Sequence, residues 1–299
     1  MNFPRSVFLA GWLTLGWSLG VRAQAVLAPA GKLNFNNLEQ QALALSRDAS
    51  QLLRFGQTDL ALPRARLAVQ LAPKSFQTHA VLGSVYLRQE EYGKAINHLQ
   101  IAHSFNKTNP NILFSLGSAY LRDGNHNKAI EVLNQGLALP TQEFPINARF
   151  DLGNAYFLAK RYEEAIAEYQ KVLGKEKNFW AATNNIGLVE YERDNVDAAI
   201  NYWQEAIKQA LASEDTAAEP RLALGVAFYI RGEEAKGLKL GEEALREDPR
   251  YGQLEFLKEN LWGDKLLNHA RRVLANPRLQ ELIRTSNVST KPRRRPSTN

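Results

Sequence analysis

Five histidines, 31 carboxylates and no cysteine set the chemical repertoire of this 299-residue chain. Without cysteine there is no disulfide framework, no thiolate metal or iron–sulfur site, no thiol nucleophile and no lipid-modified N-terminal cysteine. That absence leaves the compartment open, because exported chains can also lack cysteine. The histidines are His79, His98, His103, His126 and His269, and none stands in an H-E-x-x-H pair. His98 and His103 are five apart, which does not place two ligands on one helical face. Neither a G-x-S-x-G elbow nor a G-x-x-x-x-G-K-[ST] phosphate loop occurs. Gly232 and Gly237 have the look of a loop motif, but a small-residue position on a helix accounts for Gly237 better. The carboxylate pairs Glu163-Glu164 and Glu233-Glu234 sit among Lys and Arg, as on a solvated helix face. The residues therefore point to no catalytic site, no metal and no cofactor.

Apolar residues make up 44% and charged residues 23%, ordinary for a folded chain. Lys and Arg number 37 against 31 Asp and Glu, a net charge of +6. Four of those positives are Lys291, Arg293, Arg294 and Arg295, and two more are Arg5 and Arg22. Without the two ends the body is neutral, so no protein-wide basic face for nucleic acid is expected.

The N-terminus has the makings of a signal peptide or membrane anchor. Ser6 to Val21 is a run of 16 uncharged residues, preceded by Arg5 and followed by Ala23-Gln24-Ala25. A basic start, an apolar stretch and an A-x-A site make a secretory signal peptide. Trp12, Trp17 and an extension to Leu27 would equally suit an uncleaved anchor, and a buried globular helix is a third reading. Residues 1–25 are thus expected to be a signal peptide or membrane anchor, and 26–37 a linker.

The body repeats. Gly83, Gly117, Gly153, Gly187 and Gly225 follow one another at intervals of 34, 36, 34 and 38. Leu or Ile precedes each, an aromatic follows three residues later in four of the five, and Glu190 stands there in the other. Twelve residues after the glycines come Ala95, Ala129, Ala165, Ala199 and Gly237. Small residues at fixed places let two antiparallel helices approach, and large apolar residues between them fill the holes. Polar breaks such as Asp123-Gly124-Asn125-His126 suit a helix stop and restart. One such pair cannot bury its own apolar face, so pairs must stack.

The segments LGSVYLRQEEYGKAINHLQIA (82–102), LGSAYLRDGNHNKAIEVLNQG (116–136), LGNAYFLAKRYEEAIAEYQKV (152–172) and IGLVEYERDNVDAAINYWQEA (186–206) carry this pattern. It resembles the tetratricopeptide repeat (TPR), whose period is 34. Ala49, Ala61, Ala68 and Pro73 mark a weaker unit upstream; Leu224-Gly225, Ala244 and Pro249 mark another downstream. There Gly241 replaces the usual bulky residue. The resemblance covers about residues 42–251. It implies an all-α fold: a right-handed α-solenoid of about six TPR helix pairs over 38–251, with C-terminal capping helices over 252–284. The capping helices are expected to cover the last open core face, with a break at Asn276-Pro277. Residues 285–299 are expected to be a disordered basic tail. Insertions around Pro140–Pro145 and Ser213–Pro220 should lie in loops on one edge of the array.

The resemblance also implies a concave groove lined by the first helix of each pair, and a protein or peptide segment as partner. The matching positions are Gln77, Ser84, Leu87, Arg88, Asn111, Ser118, Leu121, Arg122, Asn147, Asn154, Phe157, Asn184 and Tyr191. Arg88 and Arg122, 34 apart, would form a ladder able to hold a partner carboxylate. The Lys/Asn set with which one subtype grips chaperone tails is absent, since Ser46, Ser50, Ser84, Phe114 and Ser118 stand at those positions. The layout is also similar to cyanobacterial and plastid membrane-associated TPR assembly factors. The expected role is a non-catalytic protein-interaction scaffold or assembly factor. The alternative is a periplasmic accessory subunit that positions a catalytic partner. The expected location is exported or membrane-anchored, in the periplasm or at a thylakoid or plasma membrane. The N-terminal segment and basic tail could support membrane association, and no specific nucleic acid is implied.

Overall fold

A computed structural model of the chain describes residues 35–141 and 143–289. The segment expected to be a signal peptide or anchor, most of the expected linker and the end of the basic tail lie outside the described residues. Twelve helices form six antiparallel pairs: α1 (Phe35–Arg54) with α2 (Thr58–Leu71), α3 (Phe76–Arg88) with α4 (Tyr92–Phe105), α5 (Pro110–Arg122) with α6 (His126–Leu137), α7 (Ile146–Leu158) with α8 (Tyr162–Lys175), α9 (Trp180–Glu192) with α10 (Val196–Ala212), and α11 (Ala218–Ile230) with α12 (Glu234–Glu247). A 3-10 turn (Pro249–Gly252) and helices α13 (Leu254–Glu259), α14 (Asp264–Leu274) and α15 (Pro277–Ser289) complete the described chain. No strand occurs among the described residues, and none of their helices is long and apolar enough to cross a membrane.

The repeat glycines explain the pairing. A Cβ at Gly83 would come within 2.6 Å of Leu99, at Gly153 within 2.5 Å of Tyr169 and at Gly187 within 2.6 Å of Trp203. Each glycine thus receives the bulky core residue of its partner helix, and that residue grows from Leu to Trp along the array. In the last pair the slot holds Gly241, and the helices close until the backbones of Gly225 and Gly237 touch. Leu279 of α15 then lies over Gly241, within 3.2 Å of where its Cβ would be. That contact caps the final core face.

Every turn within a pair contains one left-handed residue: Gly56, Glu90, Gly124, Lys160, Asp194 and Gly232. Successive pairs are tied by tyrosine hydroxyls. Arg66 donates to Tyr86 (3.2 Å), Gln100 to Tyr120 (2.7 Å) and Asn134 to Tyr156 (3.1 Å). The first helices of neighbouring pairs touch along the array from α1 to α9, whereas no two second helices make comparable contact. The first helices therefore line the inside of the curve.

That inner row is interrupted between α9 and α11, after the longer α10 and the insertion at 213–220. Here α14 lies against both α9 and α11. The C-terminal helices thus do two things where one was expected: α15 caps the core, and α14 enters the concave face. The expected break at Asn276-Pro277 falls between them. Helix α15 continues to Ser289, past the boundary at 284.

Candidate functional site

The concave face has an occupied half and an open half. In the occupied half, α14 is seated by charge at one end and by apolar contact along its length. Glu192, at the C-terminus of α9, accepts from the backbone N–H groups of Lys265 (3.2 Å) and Leu266 (3.0 Å). A carboxylate thereby meets the positive end of the α14 dipole and two otherwise unpaired donors. Gly263 packs so closely on Glu192 that a side chain there would overlap the carboxyl. Lys265 donates to the Tyr191 carbonyl at 3.0 Å and pairs with Asp194. Tyr191 and His269 are joined by a 2.7 Å hydrogen bond. Burial, with Glu192 and Asp194 nearby, pushes the Tyr191 hydroxyl up to about 12. Burial, then Lys265 and Arg272, lowers His269. Leu266, Ala270, Val273 and Leu274 are buried beneath the helix.

Under this half runs a buried polar chain. Tyr169 and Asn185 both donate to Asn154 Oδ1, at 2.8 and 3.0 Å. Asn184 donates to Asn185 at 3.2 Å. Asn184 also reaches Glu219, whose oxygens accept from Trp262 Nε1 (3.3 Å) and the Tyr251 hydroxyl (3.4 Å). Burial pushes Glu219 up to about 7, against these three hydrogen bonds, which pull it down. A network of this kind fixes one packing of helices, because any broken link strands a polar group in a low dielectric; one acceptor in it, Asn184 Oδ1, has no hydrogen-bond partner among the described residues.

The open half lies over α3, α5 and α7. It is a cleft of about 1020 Å³ whose walls include Leu87, Phe114 and Ile146 from the helices and Pro140, Phe144 and Pro145 from the loop before α7. Arg149 stacks 5.0 Å from the Phe144 ring and bridges to Glu168 at 2.8 Å, which pins that loop. Asn111, Ser115, Ser118 and Asn147 supply hydrogen-bonding groups. Asp151 accepts from the Ser118 hydroxyl. Burial raises its pKa, partly offset by that hydrogen bond and by Arg122.

The sequence-derived groove positions divide accordingly. Leu87, Asn111, Ser118 and Asn147 come together in the cleft. Gln77 is exposed and accepts from Ser75 at 2.7 Å, and Ser84 turns back to the Ala80 carbonyl at 3.0 Å. Arg88 and Arg122 end successive first helices and are exposed, but neither lines the cleft. Leu121, Asn154, Phe157, Asn184 and Tyr191 are all buried, so they offer no open groove surface. The reason is local. Leu121 and Phe157 join the core, the two asparagines join the polar chain, and Tyr191 is covered by α14.

Phe144 and Asp151 escaped the sequence reading. A signal for Asp151 exists: the position before each repeat's Leu/Ile-Gly reads Val81, Ser115, Asp151, Asn185 and Ala223, and only one is charged. His98 pairs across the helices with His79 at 3.0 Å rather than with His103. No group of three or more potential metal ligands forms among the described residues.

A tetratricopeptide repeat family model matches residues 114–182 and 184–251, and a second TPR repeat model matches 83–124. The chain is 24% identical over 285 residues to Superkiller complex protein 3 of Mus musculus, covering 84% of this chain and 18% of that protein. It is 24% identical over 245 residues to Lipopolysaccharide assembly protein B of Escherichia coli, covering 78% and 59%. The chain thus spans from under a fifth to about three fifths of the length of these relatives. Among solved structures, the type IV pilus biogenesis factor PilW superposes with a TM-score of 0.62 at 19% identity, covering 74% of this chain and 99% of that one. Pseudomonas aeruginosa pilF gives 0.60 at 18%, covering 75% and 99%. At these identities the structural likeness is one of fold.

Proposed function

The chain belongs to the tetratricopeptide repeat family, and from that premise we propose that it is an assembly scaffold holding a partner protein segment in the open half of its groove, at or beyond a membrane. The observation that carries this reading is the cleft over α3, α5 and α7, which combines apolar walls with hydrogen-bonding groups. Such a mixture is what peptide-binding grooves use: apolar contacts for affinity, a few placed polar groups for register. The occupied half argues the same way, since α14 shows what kind of segment this concave face holds. The leader-like Ser6–Val21 run and Ala23-Gln24-Ala25 support export or anchoring. Two proteins similar to this chain bear assembly or biogenesis in their names, which is in keeping with the reading.

Site-specific photocrosslinking tests it. A crosslinker at Ser115, in the cleft, is compared with one at the exposed Gln170 on the outer helix α8. The expected outcome is a discrete product from Ser115, absent from Gln170 and lost in Phe114→Ala. Equal products from both positions, or products from Gln170 alone, would move the interaction to the outer face. An alkaline phosphatase fusion after Ala25 tests export separately, because that reporter is active only once translocated.

A further inference from the structure

The open cleft has a charge character opposite to the arginine ladder expected for it. Its lining contains two charged residues among the described ones, Glu143 on the loop wall and Asp151 on α7, and both are acidic. Ser118 donates to one oxygen of Asp151, while Oδ1 makes no hydrogen bond among the described residues. Arg122 is near enough to favour the charged form, yet it makes no ion pair with Asp151. The carboxylate is therefore half-buried, lines the cleft and makes no ion pair among the described residues.

We propose that the segment bound in this cleft is basic and apolar, placing a Lys or Arg on Asp151 and apolar side chains between Phe114 and Phe144. This rests on the groove reading above and names its partner class. The physical argument is desolvation. An occupant that expels water raises the cost of leaving Asp151 charged unless it supplies a cation at hydrogen-bonding distance. A segment offering a carboxylate instead would place like charges together in a poorly screened site. Burial already raises the Asp151 pKa, so this site is sensitive to either change. The seated α14 is likewise a basic and apolar segment at the other end of the groove, where its acidic partner Asp194 is exposed. It brings Lys265 to Asp194 and buries Leu266, Ala270, Val273 and Leu274.

The test uses the full chain and short capped peptides of leucine and alanine in which one central residue is Lys, Arg, Gln or Glu, together with an uncapped set ending in a free carboxylate. Binding is read by fluorescence anisotropy. The expected result is that Lys and Arg peptides bind at least about tenfold more tightly than the Glu peptide, and that Asp151→Asn reduces this preference to near parity. Glu143→Gln, on the exposed loop, is expected to reduce it less. Phe114→Ala should weaken all peptides alike. Preference for the Glu or free-carboxylate peptides, still lost in Phe114→Ala, would overturn the basic-partner inference and leave the groove reading standing. Binding indifferent to both Phe114→Ala and Asp151→Asn, or no binding by any peptide, would remove the groove reading and this inference with it.

Discussion

Glu219 sits in a space closed by Asn184, Tyr251 and Trp262, and its ionisation is the residue-scale property most open to measurement. Its pKa rises from 4.5 toward about 7 on folding because burial disfavours the charge. A carboxyl raised in the folded state contributes stability that is complete below its unfolded value. That contribution fades as the pH climbs through the folded one. The expected size is of order 3 kcal/mol, since each tenfold change in proton affinity is worth ~1.4 kcal/mol. Glu219→Gln holds a neutral group at every pH. Its stability relative to the parent chain should therefore rise between roughly pH 4.5 and pH 7 and level off above. Paired urea titrations across that range check it, and a flat difference would mean that the carboxyl is better solvated than its surroundings indicate.

At the scale of elements, α14 is the piece whose position depends on a few groups. Glu192→Gln removes the anion at its N-terminus while keeping the shape. The expected loss is about 0.5–2 kcal/mol of local stability, read as faster amide exchange in residues 264–274 with α3–α6 unchanged. Unchanged exchange would assign the seating to the buried leucines instead. The turns offer a gain. Glu90 holds φ of 62° where three sister turns have glycine, and its side chain is exposed. Because the left-handed conformation costs a non-glycine residue about 1–2 kcal/mol, Glu90→Gly should raise the melting temperature, after a modest entropy offset. The same change at Lys160 would also remove its 3.4 Å pair with Asp264, so Glu90 is the cleaner site.

The whole molecule is a stack in which each pair rests on its neighbours, so its ends decide its cooperativity. Leu279 is fully buried over Gly241 and is the α15 residue that closes the last core face. Leu279→Ala should cost about 2–5 kcal/mol. In a stack the loss begins at the end, so the unfolding transition should broaden, and exchange should quicken in α11 and α12 before α3 and α4. A uniform loss across all six pairs would show that the array unfolds as one unit. The seated α14 bridges α9 and α11, so the cap and the occupied groove are expected to loosen together.

Much of this was legible in the residues alone. Glycines at intervals of 34 to 38, with alanine or, in the last, glycine twelve further on, determine close helix pairs, because only small residues allow that approach. The pairs determine a stack, because none can bury its face alone. Gly241 is legible as a missing bulky residue, but that Leu279 of α15 lies over it is a finding of the structure. The choice of what fills the groove was not legible. Tyr191 occupies the repeat position of the cleft residue Leu87, and Asn184 that of Phe114, yet Tyr191 packs under α14 and Asn184 joins the chain to Glu219. Asp151 stands out in sequence only as the one charged residue at its repeat position, and becomes a candidate contact once the fold half-buries it in the wall of the cleft. Periodicity is a local property and survives in a linear reading. Desolvation and occupancy depend on residues brought together from distant parts of the chain, so the tertiary structure alone decided them.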